Sequence, residues 1–127
     1  MAEIRQEMRR FLMQDSTVTG ALDQVYVDHL PDNVTYACAL LRDVTAPLTY
    51  NFSGSHLRKT LVQIDIYAET ISDKNTARDA IQGRLDGHKG MMGTIETGFV
   101  FVQDAGRDSY EKDAQLYTKV MEVQVAG

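Results

Sequence analysis

Between Leu57 and Gly87 the chain changes its hydrophobic period, and that switch limits the fold more than any other stretch. Val62, Ile64, Ile66 and Ala68 alternate with Gln63, Asp65 and Tyr67, the period-two pattern of a strand with one face in a core. After Ser72 the apolar positions become Ala77, Ala80, Ile81 and Leu85, the spacing of a helix, and Gly87 falls where a helix would stop. A strand followed by an amphipathic helix folds so that the helix covers the apolar face of the sheet. Thr70 or Ser72 is the expected N-cap of a helix over 73–85, with Asp73 at the positive end of its dipole. Gly83 weakens the last turn, which then depends on packing.

The flanking segments supply the rest of the core. Ile4, Met8, Phe11 and Leu12 form one stripe of a helix from Glu3 to Gln14 whose other face is charged. Asp15-Ser16-Thr17 breaks or redirects it, and residues 18–22 form another short turn. Gln24 to Val27 is a strand candidate, followed by turn residues at His29-Leu30-Pro31-Asp32-Asn33. Thr35 to Val44 predicts a longer strand; apolar residues run without alternation from Tyr36 to Leu41, as expected of a strand covered on both sides, and although Ala and Leu there also suit a helix, the flanking turn signals and short length favour the strand. Thr94 to Gln103 and Gln115 to Val125 predict two more strands, with Asp104 to Ser109 opening a polar connection between them. In the last strand Tyr117, Met121, Val123 and Val125 share one face. The expected fold is therefore α+β over 1–127: a twisted, mainly antiparallel sheet of about four to five strands with two main helices packed on one face.

Two stretches fit this frame less simply. Residues 45–56 are punctuated by Pro47, Asn51, Ser53, Gly54 and Ser55, while Leu48, Tyr50 and Phe52 alternate. A hairpin returning to the Leu57 strand and an arm reaching a neighbouring subunit both fit, since Tyr and Phe anchor interfaces. Residues 87–93, GHKGMMG, form a glycine-rich loop without the spacing of a phosphate loop. There Met91 and Met92, if exposed, offer an adaptable contact surface.

Charge and composition exclude several functions. A chain of 127 residues has the length of one domain. Its net charge of −5 and pI near 5.0 argue against binding nucleic acid by neutralising phosphates. No apolar run approaches a membrane span, and the charged residues 1–10 lack the apolar core of a signal peptide. Cys38 is the single cysteine, in an apolar run where a buried packing role is expected, so a cysteine-based zinc site and an intrachain disulfide are excluded. His29, His56 and His88 fall in predicted loops, and Ser55 and His56 are neighbours that point to opposite sides of an extended chain. Asp65 is the most suggestive carboxylate, yet opposite an apolar face it reads as a solvated or interface charge. No catalytic residues, metal ligands or cofactor site are expected, and the chain reads as a non-enzyme.

Several motifs together resemble a known family. Leu22-Asp23-Gln24-Val25-Tyr26-Val27-Asp28-His29-Leu30-Pro31, the strand Val62 to Ala68, the helix ending Leu85-Asp86-Gly87, and Leu116-Tyr117 with Met121 to Val125 occur in an order similar to that of the tail-terminator (tail-completion) proteins of long-tailed phages. The resemblance covers most of the chain. It implies a small α+β domain that assembles as a hexameric ring on the head-proximal end of the tail tube. Such a ring stops tube growth and meets the head-completion (stopper) protein, within a virion assembled in the host cytoplasm. The implied partners are further copies of the chain, the tail tube protein and the head-completion protein; DNA passes through the ring without specific binding, and no membrane is involved. An acidic lumen that lets DNA slide is an expectation from net charge alone. Residues 45–56 and 87–93 depart from the pattern. Another neck or tail component, such as a head-closure or tube protein, is the nearest alternative, ahead of a small-molecule-binding or enzymatic domain. Candidate contact residues are Tyr50, Phe52, His56, Asp65, Met91, Met92, Arg107 and Tyr110.

Overall fold

The computed structural model describes residues 4–43, 48–52, 55–93, 95–112 and 114–126; the side chains of 43, 48–60, 95–96, 104–107 and 126 lie outside that description. Two short helices lead in, α1 (Ile4–Met13) and α2 (Ser16–Ala21), followed by β1 (Gln24–Val27), β2 (Cys38–Asp43), β3 (Leu48–Phe52) and β4 (Ser55–Ala68). Then come α3 (Ile71–Leu85), β5 (Gly90–Met92), β6 (Ile95–Thr97), β7 (Phe99–Glu111) and β8 (Leu116–Ala126).

Six strands make one sheet in the order β1-β2-β4-β8-β7, with β3 pairing β4 off that path. All pairs are antiparallel except β1 with β2. The sheet has six strands where the sequence pattern suggests four to five, because the hairpin strand β3 pairs with the start of β4 ahead of β2, while the path across the sheet is five strands. β5 and β6 form a second, two-stranded sheet. The glycine-rich stretch is thus not simply a loop: Gly90 to Met92 ladders with Ile95 to Thr97, and the Thr97 hydroxyl donates to Gly90 O at 2.7 Å. Gly98 separates two strands of different sheets where the sequence suggests one interrupted strand.

The helices lie on one face. Met8, Phe11 and Leu12 of α1, Val18 of α2, and Ala77, Ala80, Ile81 and Leu85 of α3 pack with Val25, Ala39, Leu41, Val62, Ile64, Ile66, Val100, Val102, Met121, Val123 and Val125 of the sheet. This is the stripe-on-alternation arrangement expected from residues 57–87. Full burial of a residue such as Ile64 or Ile81 (both 0% exposed) contributes about 1.5–3 kcal/mol.

The ends of the helices follow local chemistry. Asp15 accepts from Thr17 N at 2.8 Å, capping α2 and turning the chain away from α1. Thr70 accepts from Asp73 N at 3.0 Å, so α3 starts at Ile71, two residues before the expected start. Asp86 closes its C-terminus and Gly87 takes a positive φ of 78°. At the other end of the chain, 104–109 is not a connection. Those residues belong to β7, which steps past a bulge between Asp104 and Arg107, and the turn comes only after Glu111.

Candidate interaction surface

Alternation assigns each strand residue to the helix-covered face or to the opposite one. On β4 the even positions Val62, Ile64 and Ile66 are in the core, so Leu61, Gln63, Asp65 and Tyr67 lie on the other face. Their partners in register share that face: Leu40 and Arg42 on β2, Val120, Glu122 and Gln124 on β8, and Phe101 and Gln103 on β7. No described helix packs there.

Asp65 is at the centre of this face but is not an outward-facing charge. It is 5% exposed. Arg42 Nη2 lies 2.9 Å from Asp65 Oδ2, and Gln63 Nε2 donates to Oδ1 at 2.7 Å. A buried carboxylate needs such partners to offset lost hydration. Arg42 also reaches the Tyr67 hydroxyl at 3.4 Å. Burial first, and then the negative charge of Asp65, pushes the Tyr67 phenol above its ordinary range, while Arg42 pulls it down. The cluster holds β2 to β4, with Arg42 half exposed at its edge.

The apolar part of the face is at the β7 edge. Phe99 and Phe101 are 40% and 46% exposed, and their ring centroids are 6.5 Å apart. They alternate with Val100 and Val102, both buried in the core, so this segment is apolar on both faces. That double-sided pattern, Phe-Val-Phe-Val, was the signal in the sequence for a face that needs covering. Lys89 Nζ lies 6.0 Å from the Phe99 ring centroid.

The other candidate residues are dispersed. Tyr50, Phe52 and His56 are on the β3–β4 hairpin, opposite Leu57, Ser55 and Asn51; their side chains lie outside the described residues, as does that of Arg107 at the bulge. Met91 is exposed, whereas Met92 is completely buried in the core. Met92 therefore cannot supply the contact surface suggested for the pair, because the β5 pleat turns consecutive residues to opposite sides. Tyr110 is 49% exposed, with its ring 4.7 Å from that of Tyr117. It lies on the part of β7 beyond the bulge, far along the strand from Phe99.

Three buried polar groups escaped the sequence reading. Lys74, in the first turn of α3, and Lys119 of β8 both approach Asp108, at 2.7 and 3.4 Å. The hydrogen bond from Lys74 is the main reason the Asp108 carboxyl is held below its usual range. A lysine at the positive end of a helix is unfavourable by itself; Asp108 offsets it. Glu7 is also buried, on the helix α1 stripe. Cys38 is buried as expected, and burial, with the charge of Asp23, pushes its thiol up to about 11. Such a thiol is a poor nucleophile. Among the described residues no three His, Cys, Asp or Glu side chains converge to hold a metal ion, and no helix is long and apolar enough to cross a membrane.

The architecture is thus an α+β domain with helices on one side of a mixed sheet and, among the described residues, no helix on the opposite face, where Leu40 and Asp65 are nonetheless buried and Phe99 and Phe101 are exposed. No protein-family model and no curated protein matches the chain. Among solved structures, a chain from the virion of a native gene transfer agent particle is similar to it, with a TM-score of 0.65 and 11% sequence identity. The similarity covers 94% of this chain and 92% of that one. At that identity the likeness is one of fold.

Proposed function

We propose that this chain is a structural protein of a phage-like virion, and specifically a tail terminator. It caps the head-proximal end of the tail tube as a ring, stops tube polymerisation and provides the joint to the head-completion protein. The observation that carries the proposal is the end-to-end likeness in fold to a virion chain. The tail-terminator resemblance of residues 22–31, 62–68 and 116–125 supports the finer assignment. The surface agrees with a binding role: one sheet face carries no described helix and presents the exposed Phe99 and Phe101.

In this role the domain works by geometry. One face of the sheet is fixed by its helices, and the exposed part of the opposite face, the hairpin and the chain's turns are left for contacts with other copies, the tube and the head-completion protein. Ring closure covers strand edges and apolar faces that a single copy exposes. DNA passes through without specific binding, and a net charge of −5 favours a lumen to which it does not adhere.

The test is electron microscopy of the purified protein, alone and added to polymerising tail tube protein. Single rings, and tubes whose growth stops with a ring at one end, are the expected result. Open-ended cylinders made of this chain would identify a tube protein, and tubes that grow on unaffected by its presence would remove the terminator role.

A further inference from the structure

The margins of the main sheet are not all treated alike. Arg9 Nε donates to Val25 O at 2.7 Å, which blunts the outer edge of β1. The turn after α3 straps the start of β7: Gly87 N donates to Val100 O at 2.8 Å, Val100 N to His88 O at 2.9 Å, and Val102 N to Asp86 Oδ1 at 3.0 Å. Beyond its bulge, β7 runs on from Arg107 to Glu111 with β8 along one side. Lys74 and Lys119, 7% and 3% exposed, hold it in place through Asp108. Among the described residues nothing pairs its other side. A strand edge fixed in this way is a template for strand addition.

The register tells which backbone groups that edge offers. In an antiparallel ladder, residues that bond one neighbour alternate with residues that bond the other. Val100 and Val102, opposite Val125 and Val123, bond the strap; the same alternation along β8 makes Asp108 and Tyr110, opposite Lys119 and Tyr117, turn their N–H and C=O outward. The opposite margin of the sheet has a matching edge. β1 covers β2 only as far as Leu41, and the outer side of β3 has no described partner. Carried across β4, the alternation makes Lys59, Leu57 and Ser55 bond toward Leu48, Tyr50 and Phe52, so Thr49 and Asn51 turn their backbone groups outward. The side of β4 that extends past β8 over Ser55 to Arg58 opens toward the same margin as β7, so it cannot continue the sheet head to tail.

We propose that β3 of one copy pairs edge to edge with Arg107–Glu111 of β7 in a second copy, so that the sheet continues from subunit to subunit. Three observations select a second copy. β3 is antiparallel to β4, β4 to β8 and β8 to β7, so a copy added in the same orientation brings its β3 antiparallel to β7, the slightly more stable ladder. The five residues of β3 then lie on the five from 107 to 111, and in that register the outward groups of Thr49 and Asn51 meet those of Tyr110 and Asp108. The charges also complement each other. Residues 48–59 carry Arg58 and Lys59 and no carboxylate, a net +2, whereas 104–111 carry Asp104, Asp108 and Glu111 with Arg107, a net −2. Pairing β7 with β7, or β3 with β3, sets like charge against like. The contact joins two different patches, so it is heterologous and propagates until a ring closes. The inference rests on the ring reading above and adds to it which strands meet.

Two full-length experiments test it. Tyr50 and Ser109 fall opposite each other at a position without ladder hydrogen bonds, where Cα atoms stand about 4.5 Å apart, within reach of a disulfide. When Tyr50→Cys and Ser109→Cys are mixed under mild oxidation, a disulfide between the two introduced positions is expected by peptide mapping; Cys38 is retained, since it is 0% exposed. The yield should exceed that of Tyr50→Cys with the exposed α2 control Thr19→Cys by about tenfold, the effect of a docked over an encounter geometry. The second experiment removes one outward donor. Tyr110→Pro deletes an N–H that β8 does not use, a place where an edge strand tolerates proline. It should weaken association about tenfold in sedimentation velocity, whereas Tyr110→Ala, which keeps the N–H, leaves it within about twofold. Three results would overturn the proposal: Ser109→Cys joining to itself in preference to Tyr50→Cys, which means β7 against β7; cross-link yields no higher than the control at any concentration; or Tyr110→Pro and Tyr110→Ala associating alike. Circular dichroism melts confirm that each variant is folded, and the cross-link decides if Tyr110→Pro is not. Cross-linking by a protein that leaves tube growth unaffected would reject the terminator role and keep the pairing. Tube capping without cross-links would reject the pairing alone.

Discussion

Gly93 has a φ of +62°, and a Cβ built on it would run into the carboxylate of Glu7 and lie 3.2 Å from the Glu7 Cβ. Both the backbone conformation and the buried neighbour therefore require glycine there. Gly93→Ala is expected to cost roughly 2 kcal/mol, combining left-handed strain with forced movement of a buried side chain. A lower denaturant midpoint with an unchanged slope checks it. The glycine-rich composition of 87–93 was plain in the sequence, but periodicity could not reveal what Gly93 faces, because Glu7 is far away along the chain. Asp65 teaches the same lesson. Its assignment to the face opposite the apolar one followed from alternation, while its burial depended on Arg42 arriving from β2. Met91 and Met92 are adjacent in the glycine-rich stretch, yet one is exposed and the other is core, since their separation needs the strand β5 and its partner β6.

At the level of elements, local signals worked best where the chain punctuates itself. The period switch at Ser72, the caps at Asp15 and Thr70, and the strand Gln24–Val27 are set by short-range chemistry. Thr70→Ala should destabilise the protein by about 1 kcal/mol, because Asp73 N at the start of α3 loses its acceptor. A thermal midpoint lower by several degrees, restored by Thr70→Ser, is the expected measurement. Local signals failed on β7. The polar run 104–109 has the composition of a turn, but β8 offers a ladder to pair with and Lys74 and Lys119 hold Asp108. Tertiary pairing outweighs intrinsic turn preference there.

At the scale of the whole molecule, one segment of the sheet stands beyond the main ladders. The hairpin extends past the ladders that β2 and β8 make with β4. Replacing both Tyr50 and Phe52 with Ser should therefore change stability by only about 0.5 kcal/mol, as for substitutions away from a core. The same change should convert rings or other assemblies into single copies in sedimentation velocity. A loss of the cooperative melt would mean instead that the hairpin belongs to the core. The sequence by itself determined the α+β class, the helix stripes, the apolar face of β4 and the depth of Cys38, because each of these depends on residue spacing within one element. Only the tertiary structure decided that β1 runs parallel to β2, that β7 continues through a polar stretch, that Asp65 is buried beside Arg42, and that Phe99 and Phe101 are exposed on the face opposite the helices. Those features depend on which distant strands become neighbours, and a pairing register couples residues that no local period connects.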